Sequence, residues 1–183
     1  MRREVGREFD FMAMHTSGRG KEACSFHVAG PLGGITVHVS PHGLRRIVLL
    51  PENAQAETAV SAPDEPLVQA IYADLHWYFA GKPADFADIP VDLDGHTPFR
   101  RAVWDAARRV PWGEIASYGG LARALGRSNR AAVAVGQALA ANPIPIVIPC
   151  HRILSADRKL TGFSGGLEWK RRLLALEGIG VEG

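Results

Sequence analysis

SYGGLARALGRSNRAAVAVGQALA, residues 117–140, predicts two helices joined by a tight turn. Ser117 is a favourable N-cap for a first helix over 118–125, and Gly126 is a residue type that ends helices. The second helix runs to the end of the stretch and has two candidate N-caps, Ser128 and Asn129. Two helices joined by a short glycine-containing turn are typical of a helix-turn-helix.

The second of these helices consists mostly of small side chains. Alanine favours helix, and small side chains let a backbone approach a rigid surface such as a DNA groove. Packing against a neighbouring helix is the alternative, and it explains Val135 and Leu139 well. It explains an alanine-rich circumference over 130–140 less well.

Downstream, the apolar run 144–148 leads into Pro149-Cys150-His151-Arg152. Basic neighbours lower the pKa of a cysteine toward the reactive thiolate, so we interpret Cys150 as a nucleophile. The alternative is a buried cysteine that only packs. We expect an extended strand here, on which adjacent side chains point to opposite faces, so a direct contact between Cys150 and His151 is less natural than a mediated one.

The rest of the chain divides around these motifs. A helix begins at Thr97-Pro98 and ends at Trp112-Gly113, and another covers 167–177 after a glycine-rich loop. Alternating apolar residues predict a hairpin around Pro31-Leu32-Gly33-Gly34 and a third strand over 44–50, followed by a helix over 67–79. The predicted units are an N-terminal arm 1–22, an α+β domain 23–82, a connector 83–96 and a C-terminal DNA-binding and catalytic domain 97–183.

Charge is unevenly distributed. Residues 1–97 carry 8 basic and 13 acidic side chains, whereas residues 98–178 carry 13 basic and 5 acidic side chains. This difference favours a polyanionic partner for the second half over a merely solvated basic face.

The composition of the 183 residues is typical of a globular protein, and no apolar run is long enough for a membrane helix. Two cysteines and no apolar leader favour a reducing compartment, so we expect a cytoplasmic protein, nuclear if eukaryotic.

Six motifs in the chain resemble, in order, those of the 6-O-alkylguanine-DNA alkyltransferases: Ser117-Tyr118, Ala134-Val135-Gly136, Asn142-Pro143, Ile148-Pro149-Cys150-His151-Arg152, Gly162-Phe163-Ser164-Gly165-Gly166-Leu167 and Leu174-Ala175-Leu176-Glu177-Gly178. The resemblance is close over 97–178 and holds in outline before that. It implies an α+β fold, with a small strand-rich N-terminal domain that is ribonuclease H-like in outline and a mostly helical C-terminal domain with a helix-turn-helix. It also implies a monomer without a cofactor. The zinc ligands that occur in some members of the family have no convincing match in this sequence, so we expect no metal.

The implied activity is DNA repair by direct reversal. After flipping of the nucleotide, an alkyl group, such as methyl, passes irreversibly from guanine O6, and also thymine O4, to Cys150 in a single turnover. The resemblance implies that His151 takes the thiol proton of Cys150 through a bridging water, and that Glu177 holds the imidazole in place. It makes Tyr118 a hydrogen-bond donor to the purine, and Asn142 the brace of the active-site turn.

The resemblance also implies two sets of binding residues. The substrate set, in which Phe163 and Pro145 wall the base and the Ser164 amide faces O6, is Pro145, Ile153, Phe163, Ser164 and Gly165. The DNA-binding set is Gly119, Arg130, Ala132, Val133, Ala134, Gly136 and Arg152. Phe163 departs from the tyrosine of many relatives. Val133 stands where an arginine is expected to fill the vacated base stack, so we expect weaker flipping, with Arg130 as a possible substitute.

Other functions remain open at this level. A lesion-recognising protein would flip alkylguanine without repairing it, but relatives of that kind lack the cysteine. A helix-turn-helix regulator would need a dimer helix or an effector domain, and a Cys-His hydrolase would turn over repeatedly. A zinc site built from Cys24, His27, His38 and His42 is disfavoured, because strand alternation is expected to scatter these side chains.

Overall fold

The structure, a computed structural model, describes residues 24–51 and 65–180. The predicted arm 1–22 lies outside the described residues. Within them, three antiparallel strands and one helix form an N-terminal unit, and four helices with a two-stranded parallel pair form a C-terminal unit. No helix of the described residues is long and apolar enough to cross a membrane.

The N-terminal unit is a meander with a helix against it. Its elements are β1 (Cys24–Val28), β2 (Ile35–Ser40), β3 (Gly43–Leu49) and α1 (Pro66–Phe79). The strand order is β1-β2-β3, as the predicted hairpin and third strand require. Phe26 pairs with Val37, and both are fully buried, as are Ile71 and Leu75 on the apolar face of α1. Strand alternation therefore places one face of the sheet in the core.

The outer face of this sheet carries two histidines that we expected to be scattered. His27 and His38 share that face, because His27 contacts Thr36 and His38 contacts Ser25 across the strands. In the strand register His38 is opposite Ser25, which is two residues from His27, and residues two apart on a strand point to the same face. No group of three metal-ligating side chains is close enough together, in the described part of the chain, to hold a metal ion.

The C-terminal unit contains the helix-turn-helix. Its elements are α2 (Pro98–Arg108), β4 (Ala116–Ser117), α3 (Tyr118–Ala124), α4 (Ala132–Ala140), β5 (Ile153–Leu154) and α5 (Leu167–Leu176). The indole of Trp104 donates a 2.8 Å hydrogen bond to the carbonyl of Ala138, which fixes α4 against α2. Ser117 caps α3 by accepting from the Gly120 amide at 3.0 Å, as predicted.

Two helix termini differ from the prediction. Helix α2 ends at Arg108, short of Trp112, because Pro111 disfavours helical geometry in the residue before it. Helix α4 begins only at Ala132, after a 3-10 turn over Asn129–Ala131. Neither predicted cap side chain acts as a cap there: Ser128 makes no cap hydrogen bond, and Asn129 instead accepts 2.6 Å from Arg123.

Several hydrogen bonds join the two units. The amide of Ile47 in β3 donates to the carbonyl of Pro143 at 2.9 Å, and the Trp169 indole donates to the carbonyl of Leu50 at 3.0 Å. The β4–β5 pair aligns Ala116 with Ile153, which brings the start of α3 beside the segment that follows the cysteine.

Candidate active site

The cysteine lies at the end of a turn that Asn142 braces. The side-chain amide of Asn142 donates to the carbonyl of Ile148 at 2.9 Å and to Sγ of Cys150 at 3.0 Å, and its oxygen accepts from the Ile144 amide at 2.9 Å. Ile146, in the middle of the turn, has a φ of 76°, which is unfavourable for a β-branched residue. The three hydrogen bonds of Asn142 hold this backbone in place.

The expected extended strand at the cysteine is wrong. Cys150–Arg152 is a 3-10 turn, closed by a 3.0 Å hydrogen bond from the Arg152 amide to the carbonyl of Pro149. A turn of this kind separates successive side chains by roughly 120°. His151 is therefore directed into the protein while the cysteine remains next to Asn142.

Glu177 gathers three partners in the interior. Its Oε1 lies 2.8 Å from Nε2 of His151 and accepts 2.7 Å from the Tyr78 hydroxyl, and the Arg152 guanidinium donates to both carboxylate oxygens at 2.8 and 3.0 Å. All four residues are buried. An ionised carboxylate can only accept, so Nε2 of His151 carries the proton in this arrangement. Nδ1 of His151 is buried and has no protein hydrogen-bond partner among the described residues.

The charges of this cluster follow from its contacts. Burial alone raises the pKa of Glu177, but the hydrogen bonds from His151 and Arg152 outweigh it and hold that pKa at about 2. Burial lowers the pKa of His151, against the attraction of Glu177. At neutral pH, Glu177 is therefore ionised and His151 is neutral, which leaves Nδ1 able to accept a proton.

The pKa of the cysteine is shifted in the direction opposite to that predicted. Burial raises the pKa of Cys150 to about 11, although the Asn142 hydrogen bond and the Lys170 charge oppose the shift. The basic neighbours that suggested activation act elsewhere, since Arg152 is paired with Glu177 and His151 is neutral. In the free protein, Cys150 is a thiol held 3.0 Å from the Asn142 amide.

Lys170 is a functional candidate that sequence reasoning missed. It is fully buried on α5, and its ammonium donates to the carbonyls of Ile153 at 2.8 Å and Thr161 at 3.3 Å. Burial lowers its pKa to about 8, while the attraction of Cys150 raises it. The signal in the sequence is a lysine within the apolar stripe of a helix, three and four residues before Leu173 and Leu174.

Tyr118 and the glycine-rich loop supply several of the predicted base-binding residues. The hydroxyl of Tyr118 is 2.9 Å from that of Thr161, and its ring lies 3.7 Å from the Cβ position of Gly136. Ser164 is exposed, and Gly165 packs so tightly against Leu49 of β3 that a Cβ there would collide.

The other three predicted substrate residues differ in accessibility. Phe163 is half-buried and lies 3.0 Å from the Cβ position of Gly165, while Pro145 is buried. The side chain of Ile153 is fully buried, so only its main chain, whose carbonyl accepts from Lys170, faces the site.

Most of the predicted DNA-binding residues lie on the helix-turn-helix and are accessible. Val133 is 72% exposed on α4, and the other members are exposed or half-buried: Gly119, Arg130, Ala132, Ala134 and Gly136. Arg152 is a correction. It is 3% exposed, and its guanidinium is bonded to Glu177 and to the carbonyl of Val110, so it cannot reach a phosphate.

Fold and site together define a protein with a helix-turn-helix and a buried cysteine, next in sequence to a histidine that is bound to a glutamate. Residues 98–179 match the family described as 6-O-methylguanine DNA methyltransferase, DNA binding domain, and residues 28–93 match its ribonuclease-like domain. The chain belongs to the 6-O-methylguanine DNA methyltransferase family, as the motifs predicted. Its class is a DNA repair methyltransferase, and the predicted α+β fold is confirmed.

Individual relatives agree with this family. A DNA base-flipping protein of Thermus thermophilus is 42% identical over 150 residues, covering 81% of this chain and 95% of the relative. A methylated-DNA–protein-cysteine methyltransferase of Haemophilus influenzae is 47% identical over 114 residues, 62% of this chain and 63% of the relative. The crystal structure of Mycobacterium tuberculosis OGT in complex with DNA has 36% identity and a TM-score of 0.70, covering 84% of this chain and 92% of that one.

Proposed function

We propose that this chain repairs duplex DNA containing 6-O-alkylguanine by moving the alkyl group to Cys150 in a single turnover. The observation that carries this proposal is the convergence of Cys150, Asn142, His151 and Glu177 on one turn beside the helix-turn-helix. The H. influenzae relative is named for methyl transfer from DNA to a protein cysteine, which is this reaction.

The contacts account for the proton. Since the pKa of Cys150 is about 11, attack by its sulfur requires a base. The imidazole of His151 can serve, because its Nε2 is bound to ionised Glu177 and its Nδ1 has no hydrogen-bond partner among the described residues. We propose that the thiol proton passes to Nδ1 through a water, as the resemblance implies, and that Glu177 stabilises the resulting imidazolium. General base catalysis of this kind contributes about 10²–10⁴ in rate.

The transfer then balances as a substitution at carbon. The sulfur of Cys150 forms the new S–C bond, the C–O6 bond breaks, and its electron pair stays with guanine. Tyr118 and the Ser164 amide are the proposed donors that stabilise the developing negative charge on the purine. Because the new S–C bond on Cys150 is not broken again, each protein molecule reacts only once.

Access to O6 requires the nucleotide to leave the duplex. We propose that α4 enters the minor groove and that Val133, the most exposed large apolar side chain of that helix, acts as a wedge between bases. The T. thermophilus relative is named a DNA base-flipping protein, which supports this step. The monomeric state and the cytoplasmic location stay predictions from the sequence.

Intact-protein mass after incubation with a duplex carrying one 6-O-methylguanine tests the proposal. We expect one methyl group per chain, absent in Cys150→Ser and retained in the matched control Cys24→Ser. Tight binding to the lesion without a mass change would instead favour a base-flipping sensor. Absence of both transfer and lesion-specific binding would favour a helix-turn-helix regulator.

A further inference from the structure

A cavity of about 760 Å³ is lined both by residues of the N-terminal sheet and by predicted base-binding residues. Its lining includes Pro145, Ser164 and Gly165, and also Arg45 and Arg46 of β3. Volumes of roughly 300–1,000 Å³ are those of small-molecule sites. A methyl group would occupy only a small part of such a space.

One residue of the cavity lining also contacts the sulfur of Cys150. Asn142 lines the cavity, and the amide of Asn142 lies 3.0 Å from Sγ of Cys150. Leu49 also lines it and contacts Gly165, so β3 directly borders the loop that is predicted to hold the base. A substituent on O6 longer than methyl would have to extend away from the sulfur, and this cavity is the space beside it.

The charged groups of the wall are mostly paired. Arg45 donates a 2.7 Å hydrogen bond to Asp92, a buried carboxylate that also accepts from Ser40. Asp94 lies 3.6 Å from the guanidinium of Arg101. These contacts compensate the two carboxylates of the cavity wall.

Arg46 is the exception. It is exposed on β3, and no carboxylate within the described residues pairs with it. Burial and the charge of Arg46 lower the pKa of neighbouring His38, so that ring is neutral at pH 7. The cavity therefore presents one uncompensated guanidinium, a group that binds carboxylates through two parallel hydrogen bonds.

We propose that Arg46, in the lining of this cavity, makes the chain prefer O6 substituents that end in a carboxylate. The inference rests on the proposed function and specifies its substrate class. The transfer reaction is unchanged. The carbon bonded to O6 forms a bond to Sγ of Cys150, its bond to O6 breaks, and guanine keeps the electron pair and is released after protonation. The carboxylate remains in the cavity on the alkylated cysteine.

Free bases test this without flipping or DNA electrostatics. The probes are O6-benzylguanine, O6-(4-carboxybenzyl)guanine and O6-(4-aminomethylbenzyl)guanine, and the measurement is the single-turnover rate of mass gain on the full chain. We expect the carboxybenzyl probe to react about three- to tenfold faster than the benzyl probe. Arg46→Ala should bring that ratio near one, and Arg46→Glu should transfer the preference to the aminomethyl probe. The control Arg109→Ala, an exposed arginine outside the cavity, should keep the wild-type ratio.

The outcomes separate this inference from the function on which it rests. Equal rates for the three probes, in a protein that still removes methyl from DNA, would overturn the inference and leave the proposed function standing. An Arg46→Ala effect seen only with oligonucleotides would identify a phosphate contact and overturn it as well. Failure to accept any group, from DNA or from a free base, would overturn both.

Discussion

The hydroxyl of Tyr78 donates a 2.7 Å hydrogen bond to Oε1 of Glu177, across 99 residues of sequence. Tyr78 is fully buried on α1, with its ring edge-on to Trp112 at 5.1 Å. The N-terminal unit thus supplies one of the donors to the carboxylate that holds His151. Helix α1 therefore contributes to the buried cluster around Glu177 as well as packing against the sheet.

Tyr78→Phe removes that donor while keeping the ring. We expect the free energy of unfolding to fall by about 2 kcal/mol, because a buried hydrogen bond to a charged group is lost. Urea unfolding measures it. The control Tyr72→Phe removes a half-buried hydroxyl with no hydrogen bond among the described residues and should cost less than about 0.5 kcal/mol. Equal losses in the two variants would refute a special role for the contact to Glu177.

Glu177→Gln should make stability less dependent on acid. The pKa of Glu177 falls from 4.5 to about 2 on folding, so its contribution is complete above pH 4.5 and is lost as pH falls toward 2. The free energy of unfolding of the wild type should exceed that of the variant by about 3 kcal/mol near neutral pH, and this difference should shrink as the pH falls from 4.5 toward 2. Denaturant unfolding at several pH values measures the gap. Glu168→Gln, an exposed glutamate on α5, is the control, and a pH-independent gap for Glu177→Gln would contradict the linkage.

The sequence predicted which residues would meet but not how they are arranged. Cys150, His151, Asn142 and Glu177 are recognisable because their motifs occur in a family order, and the structure brings them together. Arg152 was misassigned to DNA because its partner, Glu177, lies 25 residues away, and a basic residue in a motif carries no sign of burial.

Tyr78 and Lys170 could not have been assigned from pattern alone. In an apolar helical stripe, a tyrosine indicates burial, and only the tertiary structure shows that its hydroxyl faces Glu177. Lys170 was the more detectable of the two, since an ammonium on an apolar face requires buried acceptors, here two carbonyls. The raised pKa of Cys150 has the same origin: desolvation depends on packing that the tetrapeptide does not specify.

Cys150 should react slowly with a small electrophile at neutral pH. With its pKa at about 11, the thiolate fraction, and with it the rate of modification by iodoacetamide, should rise about tenfold per pH unit from pH 7 to 9.5. Cys24→Ser removes the other thiol, and mass spectrometry follows the single remaining site. A rate that levels off below pH 8 would show that the thiol is activated in the free protein.

Lys170→Met tests the buried cation next to the thiol. The charge of Lys170 lowers the pKa of Cys150, and because the pKa of Lys170 is itself about 8, this charge is present mainly below pH 8. The variant should therefore lower the low-pH part of the iodoacetamide profile, near pH 7, and slow methyl transfer at that pH. Replacing a buried charge by an apolar side chain of similar length can be nearly neutral for folding, so the midpoint of thermal unfolding is the matched structural readout. Lys170→Arg restores a cation and should recover part of the profile. An unshifted profile in Lys170→Met would mean that the charge does not act on the sulfur.

Val133→Arg should accelerate repair of duplex DNA by about three- to tenfold, because a guanidinium adds charge and reach to an apolar wedge that already projects from α4. Single-turnover transfer from a duplex with one 6-O-methylguanine measures it, and transfer from free O6-benzylguanine, which needs no flipping, should not change. Gln137→Arg puts the same charge on an exposed position of α4 one turn further along. If that control accelerates the duplex reaction equally, general attraction to the phosphates is sufficient and insertion at position 133 is not limiting. An unchanged duplex rate in Val133→Arg would show that valine already flips the lesion efficiently.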